Sequence, residues 1–509
     1  MRRDTDMDFI RNFPFFSIIV CMFSGIISSV LSGKKARNLC FGAVSTVSVL
    51  SACVLFYTIQ TGASFTYMMG HYPAPWGNEI RAGILEGVLA TTFSVVLLLS
   101  LVSAYHRTAE DIEPTKLNLF YLLVNLLLSS LLAIIYTNDL FTAYVFVEIN
   151  TIAACGLIMI RQVGRTFGAA IKYMVMSLVG SGLFLIGLSL TYTLTGHLLM
   201  SPAKEAMAGL IASDNYHMPV LIVLVLMSVG LAIKSGLFPF HSWMPDAYGF
   251  STASASAILS GLVSKAYIIL LIKIFYRVVG IEFIVDSKMI HVLFVFGLVG
   301  MVMGSVNAIL EKDIRRMIAY SSVAQIGYIY MGIGLGIEQG YAASVYHILH
   351  HAVTKALLFI SVVGLSNVSG GSKQFQDLRG AGYRHKAAGI AFTVGSFSMV
   401  GLPMFSGFIS KYLFATAALS VSPKKMYLTL VVLAVSTILN AIYFIHTVVT
   451  IYTPSDTEGN AGAEKELRSW KERPWVTVSL MVFIALNFIL GLFSEPVMEL
   501  IISGLRMFG

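Results

Sequence analysis

The chain has 509 residues, 57% hydrophobic and 12% charged, with a mean hydropathy of +0.80 and a formal net charge of +8. A soluble globular protein carries roughly a quarter charged residues, so the composition excludes one and points to an all-α protein that crosses a membrane many times. The basic residues sit in short loops between apolar runs, which excludes a nucleic-acid surface as the reason for the positive charge.

A bilayer core takes about 20 residues of helix. Runs of that length predict about fourteen spans: 15–32, 41–60, 84–105, 117–136, 139–160, 169–195, 219–236, 252–277, 289–309, 315–336, 340–366, 388–418, 426–452 and 474–495. The polar, basic start and the lack of a small-residue cleavage site make the first span a retained helix rather than a signal peptide. The stretch 453–466, with Pro454, Gly459 and mixed charge, reads as a solvated loop. Cys21, Cys40, Cys53 and Cys155 are scattered without a CxxC pair, so neither a zinc site nor an iron–sulfur cluster is expected.

Most lysines and arginines fall in the loops after odd-numbered spans. Examples are Lys34, Lys35 and Arg37; Lys312, Arg315 and Arg316; and Lys465, Arg468, Lys471 and Arg473. This bias places the odd loops in the cytoplasm and both termini outside. Arg2, Arg3 and Arg11 argue the other way.

With charges near span ends assigned to loops, four lysines remain inside spans: Lys234, Lys265, Lys355 and Lys411. One acid joins them, Glu148. Glu86 and Asp139 lie near span ends, where snorkelling is cheap. One buried lysine is explained by a structural ion pair or a misplaced span boundary. Five charges are harder to explain so, because each costs about 2.5–3.5 kcal/mol at a helix centre and the lysines outnumber the acid. Lysine can lose and regain a proton, whereas arginine cannot, and no arginine is expected deep in a span.

The eleventh span adds His347, His351 and Lys355 at i, i+4 and i+8, one face of a helix. A zinc helix is rejected because no HExxH glutamate is present and Lys355 would repel a metal. The stripe reads as a hydrated proton relay; the alternative is core histidines satisfied by carbonyls. His350 is expected to point elsewhere.

Two helix breaks complete the pattern. Gly236, Pro239 and Pro245 follow Lys234, and Gly401 and Pro403 precede Lys411. They are five spans apart, and interrupted helices at matching places in two halves point to inverted repeats. The predicted organisation is spans one to three over 1–115, a first repeat over 116–280, a second over 281–455, and a loop with the last helix over 456–509. No Ser–His–Asp set, Walker lysine or haem-ligand pattern is present, so no catalytic chemistry and no bound cofactor are expected of this chain.

Several segments resemble the antiporter-like subunits shared by complex I, Mrp-type cation/proton antiporters and membrane-bound hydrogenases. They are Asn138 to Glu148, Ala232 to Asp246, Ser264 to Tyr267, Asp313 to Tyr328, His351 to Phe359 and Gly401 to Lys411. The resemblance implies that Glu148 pairs with Lys234, that Lys265 bridges, that His347, His351 and Lys355 form the span-eleven relay, and that Lys411 is the exit residue. Gly70 to Gly77 is similar to a segment of Mrp D-type subunits, with His71 where glycine is usual. The implied function is proton translocation, with sodium as the exchanged ion in an Mrp setting. The implied partners are the other membrane subunits of such a complex, in the plasma membrane of a prokaryote. The homologous pumping subunit of a hydrogenase or NADH dehydrogenase, a non-transporting scaffold subunit and a stand-alone carrier are the alternatives.

Overall fold

A computed structural model of the chain describes residues 9–72, 77–213, 215–454 and 474–508, with His71 by its backbone alone. The predicted features at 1–8, at 73–76 within the Gly70–Gly77 segment, and at 455–473 with Lys465, Arg468, Lys471 and Arg473, lie outside the described residues.

Long apolar runs become helices because in hydrocarbon a helix alone satisfies its own backbone. Helices α1 (Phe13–Val30) and α2 (Gly33–Thr61) lead into a small antiparallel hairpin, β1 (Phe65–Met68) and β2 (Glu79–Ala82), with Phe65 opposite Ala82. Then follow α3 (Ile84–Ser103), α4 (Leu117–Tyr136), α5 (Leu140–Met159), α6 (Gly164–Thr195) and α7 (His217–Ser235). A short α8 (Met244–Phe250) precedes α9 (Ala253–Val279), α10 (Met289–Leu310), α11 (Ile314–Gly334) and α12 (Glu338–Asn367). The chain closes with α13 (Lys386–Val400), α14 (Ser406–Leu419), α15 (Pro423–Tyr452), α16 (Pro474–Leu492) and α17 (Ser494–Arg506).

Among the described residues, 12 helices are long and apolar enough to cross a membrane. The protein is thus an all-α polytopic membrane protein. Thirteen of the fourteen predicted spans each fall on one continuous helical run, give or take a few end residues. The two predicted spans outside the 12 are α11, whose first turn carries Arg315 and Arg316, and the predicted twelfth span, divided into α13 and α14. The core is formed by α9 and α12, whose apolar stretches are 100% and 94% buried, whereas those of α6 and α15 are 39% and 33% buried. The two core helices carry Lys265 and Lys355, so these lysines are held at the centre of the bundle.

Both predicted breaks are present and are built alike. After α7, Gly236 has φ +77°; its N–H reaches the Ile233 carbonyl, and the Leu237 N–H reaches Ala232. After α13, Gly401 has φ +89°; its N–H reaches Ser398, and the Leu402 N–H reaches Phe397. This is the left-handed glycine cap that ends a helix cleanly and satisfies its last carbonyls. Pro245 lies in the first turn of α8, where its missing N–H costs nothing. Pro239 and Pro403 lie in the non-helical links.

Candidate functional site: a buried line of lysines and histidines

The line begins on α5. Glu148 is partly exposed at the surface of the bundle, its side chain 26% exposed, and accepts a hydrogen bond from Ser181 on α6. Its Oε1 lies 3.5 Å from Lys234 Nζ, which is fully buried. Lys234 also donates to Thr151 Oγ1 at 2.7 Å and lies 5.5 Å from the Tyr267 ring centre. It sits in the last turn of α7, at the negative end of the helix dipole, where a cation is favoured. Tyr267 donates to Asn150 Oδ1 at 2.9 Å, and Asn150 to Ser130 at 2.9 Å.

Lys265 lies two residues before Tyr267 and is buried on α9. A π-helical turn over Leu259–Val263 lies just before it, and the Lys265 ammonium donates to the carbonyl of Ser260 in that turn. Such turns leave carbonyls poorly used by the helix itself and often mark functional positions. The Ser260 hydroxyl lies 3.1 Å from that of Ser322 on α11. The neighbouring Ser321 hydroxyl, with the Ile318 carbonyl at 2.9 Å, accepts from Lys355 on α12. Three serines, Ser260, Ser321 and Ser322, therefore stand around the two core lysines.

From Lys355 the stripe runs back along α12. His351 is buried, and neither ring nitrogen has a protein hydrogen-bond partner. His347 stacks on Tyr328, with centroids 5.5 Å apart and planes at 10°, and its Nδ1 lies 2.6 Å from Ser410 Oγ. Next in sequence to Ser410 is Lys411, whose ammonium donates to the Val400 carbonyl at 2.6 Å. Val400 is the last residue of α13, so Lys411 faces the carbonyl end of the half-helix before the second break, whereas Lys234 lies within the last turn of the half-helix before the first. Both His347 and Lys411 contact Tyr328, the latter at 5.8 Å from the ring centre.

The structure corrects three expectations. His350 does not point away from the site: its Nδ1 lies 2.8 Å from Ser406 Oγ at the second break, and its ring is 5.4 Å from that of His347. Nor are the deep charges only one acid and four lysines. Lys273 is buried and donates to the carbonyls of Ile135 and Thr137 at 2.8 and 2.5 Å, and Arg315 is 4% exposed. Arg277 is buried too, paired at 2.7 Å with a buried Glu86. These residues lie near span ends, but neighbouring helices cover them there, so they cannot snorkel to water. Asn487 on α16 was also missed; its Oδ1 accepts from Thr354, Ser398 and Ser406 and ties α16 to the second break. The available signal was an amide inside an otherwise apolar span.

The second break tolerates no added side chain at Gly407. A Cβ there would lie 1.7 Å from the Ser398 carbonyl oxygen and 3.2 Å from the His350 ring. Gly407→Ala is therefore expected to destabilise the chain by at least about 1–3 kcal/mol, the usual penalty of overpacking. Thermal unfolding of the purified protein reads this, and an unchanged midpoint would refute the close packing.

Among the described residues, no group of three or more His, Cys, Asp or Glu side chains could hold a metal ion. The arrangement instead suits proton transfer, with titratable groups held by hydroxyls and carbonyls in an apolar bundle.

The family model described as NADH:quinone oxidoreductase/Mrp antiporter, TM, matches residues 137–438. NADH-quinone oxidoreductase subunit N of Desulforudis audaxviator is 30% identical over 499 residues, covering 96% of this chain and 97% of its own. Putative antiporter subunit mnhD2 of Staphylococcus aureus is 27% identical over 455 residues, covering 89% and 88%. The fold is similar to a chain of the membrane-bound sulfane sulfur reductase, an archaeal respiratory membrane complex, with TM-score 0.84, 24% identity and coverage of 99% and 97%. It is equally similar to a chain of the Mrp complex from Dietzia sp. DQ12-45-1b, with TM-score 0.83, 22% identity and coverage of 98% and 97%.

Proposed function

This chain belongs to the NADH:quinone oxidoreductase/Mrp antiporter family of membrane subunits, and from that membership we propose that it is the proton-conducting, D-type subunit of an Mrp-type Na+/H+ antiporter. The observation that carries the reading is the row of lysines and histidines, most of them buried, between Glu148 and Lys411, held by neighbouring hydroxyls and carbonyls. Similarity to an mnhD2 subunit along most of both chains supports the Mrp assignment. The homologous pumping subunit of a redox complex is the second reading, favoured by the match to a subunit N.

In this reading α11 and the α13–α14 pair also cross the bilayer, making fourteen spans. Spans four to eight and nine to thirteen form two inverted repeats, supported by the like-built caps at Gly236 and Gly401. The chain lies in the plasma membrane of a prokaryote, odd loops inside and both termini outside. Glu148, partly exposed at the surface of the bundle, is covered by a neighbouring membrane subunit. While Glu148 is close, Lys234 keeps its proton. When the pair separates, the proton passes towards Lys265, then Lys355 with His351 and His347, and leaves through Lys411. The pair is the two-state element whose geometry sets the charge on Lys234.

The test is reconstitution of the complex that co-purifies with this chain into liposomes carrying an internal pH dye. A sodium gradient is expected to generate a pH difference. Co-purification with hydrogenase or NADH-oxidising subunits, or no pH response to sodium, would replace this reading with the second.

A further inference from the structure

A second cluster of charge lies on the odd-loop face, outside the line described above. A cavity of about 150 Å³ is lined by Arg107, Asp111, Arg161, Arg315, Ser366 and Lys373, among others. Four of these are cations and one is an acid; Glu110 also pairs with Arg107 at 3.5 Å, and Asp313 lies close enough to act on Lys373. Asp111 is already engaged, with Arg107 Nε at 3.2 Å and Arg161 Nη2 at 3.5 Å. Among the described residues no salt bridge reaches Arg315 or Lys373.

The cavity is built rather than incidental. Arg315 is locked by its Nη2, which donates to the carbonyls of Ser251 and Tyr248 at 2.7 and 3.2 Å and to the Ser256 hydroxyl. Arg161 is held by the Phe250 carbonyl at 3.1 Å. Lys373 is placed by backbone pairing of its loop, its carbonyl accepting from the Ile314 N–H at 3.0 Å. Yet the Nε donors of both Arg161 and Arg315 are buried without any protein acceptor. Buried donors of this kind are rare and call for an explanation. An excess of fixed cations around a small space, with one unused Nε donor on each of two arginines, suits an anion that accepts single charge-assisted hydrogen bonds.

We propose that this cavity binds a tetrahedral oxyanion of the phosphate class, either a free anion or the phosphate of an anionic lipid headgroup. The oxyanion accepts from the two Nε donors and from the Lys373 ammonium, while Asp111 stays paired with Arg107 and Arg161. Lys373 adds a pH signature. The positive charge of Arg315 first, then burial and the charge of Arg161, pull its ammonium down to about 7, against the opposing pull of Asp313 and Asp111. A bound anion restores that proton. Binding is thus strongest below pH 7 and weakens as pH rises through 7.

The test uses sulfate, whose charge does not change between pH 6 and 9, on the delipidated complex in neutral detergent. Sodium sulfate is expected to raise the unfolding midpoint saturably, against sodium chloride at equal ionic strength, and less so as pH rises. Lys373→Gln should weaken the apparent affinity roughly tenfold, the loss of one charge-assisted bond, and remove the pH dependence. Lys373→Arg should retain binding without the pH dependence, which separates lost charge from lost folding. Saturation by sulfate assigns a free anion. Saturation only by short-chain phosphatidylglycerol, and not by phosphatidylcholine, with the same response to Lys373→Gln, assigns a lipid phosphate. No saturation by either, or equal affinity in Lys373→Gln, overturns the proposal.

Discussion

Lys234→Ala in the assembled complex is expected to lower sodium-driven proton movement about a hundredfold. Removing the site leaves a gap in which an unaided charge costs about 3 kcal/mol, and each ~1.4 kcal/mol is a factor of ten in rate. The protein should still assemble. Lys234 meets the rest of the chain through Thr151, Glu148 and the face of Tyr267, and alanine leaves behind a hydroxyl and a half-exposed carboxylate that can be resolvated. Glu148→Gln should act in the same direction but less strongly, because Thr151 still accepts from the ammonium and Lys234 stays in the last turn of α7, where the helix dipole favours a cation. Initial rates of dye quenching in liposomes, normalised to incorporated complex, measure both. Wild-type rates in Lys234→Ala would mean that protons do not travel along this line.

Glu86→Ala has the largest expected effect on stability. Its carboxylate accepts from Arg277 at 2.7 Å and from the Gly83 N–H at 3.0 Å, so one side chain both caps α3 and neutralises a buried guanidinium on α9. Arg277 lies 4.1 Å over the Phe508 ring, and its Nε and Nη1 have no protein acceptor. Without Glu86 the cation is left buried and unpaired, which typically costs about 3–5 kcal/mol. Thermal unfolding of the purified complex should show the loss. Removing both charges, as in Glu86→Leu with Arg277→Met, should recover most of it, because a buried pair is often no more stable than an apolar replacement of similar volume. A single variant as stable as wild type would show that the pair does not hold the N-terminal helices to the core.

The spans, the breaks and the lysines of the line were legible before any coordinates. Each is a local signal: an apolar run of bilayer length, a Gly–Pro interruption, or a lysine where hydrocarbon is expected. The i, i+4, i+8 spacing of His347, His351 and Lys355 likewise needs only helix geometry. His350 lies one position off that face, and helix geometry alone gives it no partner. What gives it a partner is Ser406 on a different segment, brought there by the second break.

Glu86, Lys273, Arg277 and Arg315 show the other side of the limit. Sequence places them near span ends, where a long side chain ordinarily bends out to water, and whether it can do so depends on which helices pack above it. For Arg277 that neighbour is Glu86, 191 residues away, and for Arg315 it is the loop around Ser251, 64 residues away. Hydropathy is a property of one segment, so the sequence alone determined where the long apolar helices run, where two of them break and which charges stand at their middles. Burial at a helix end is a property of several segments at once, so only the tertiary structure decided which of the remaining charges are paired, which donors are left over, and where an anion can sit.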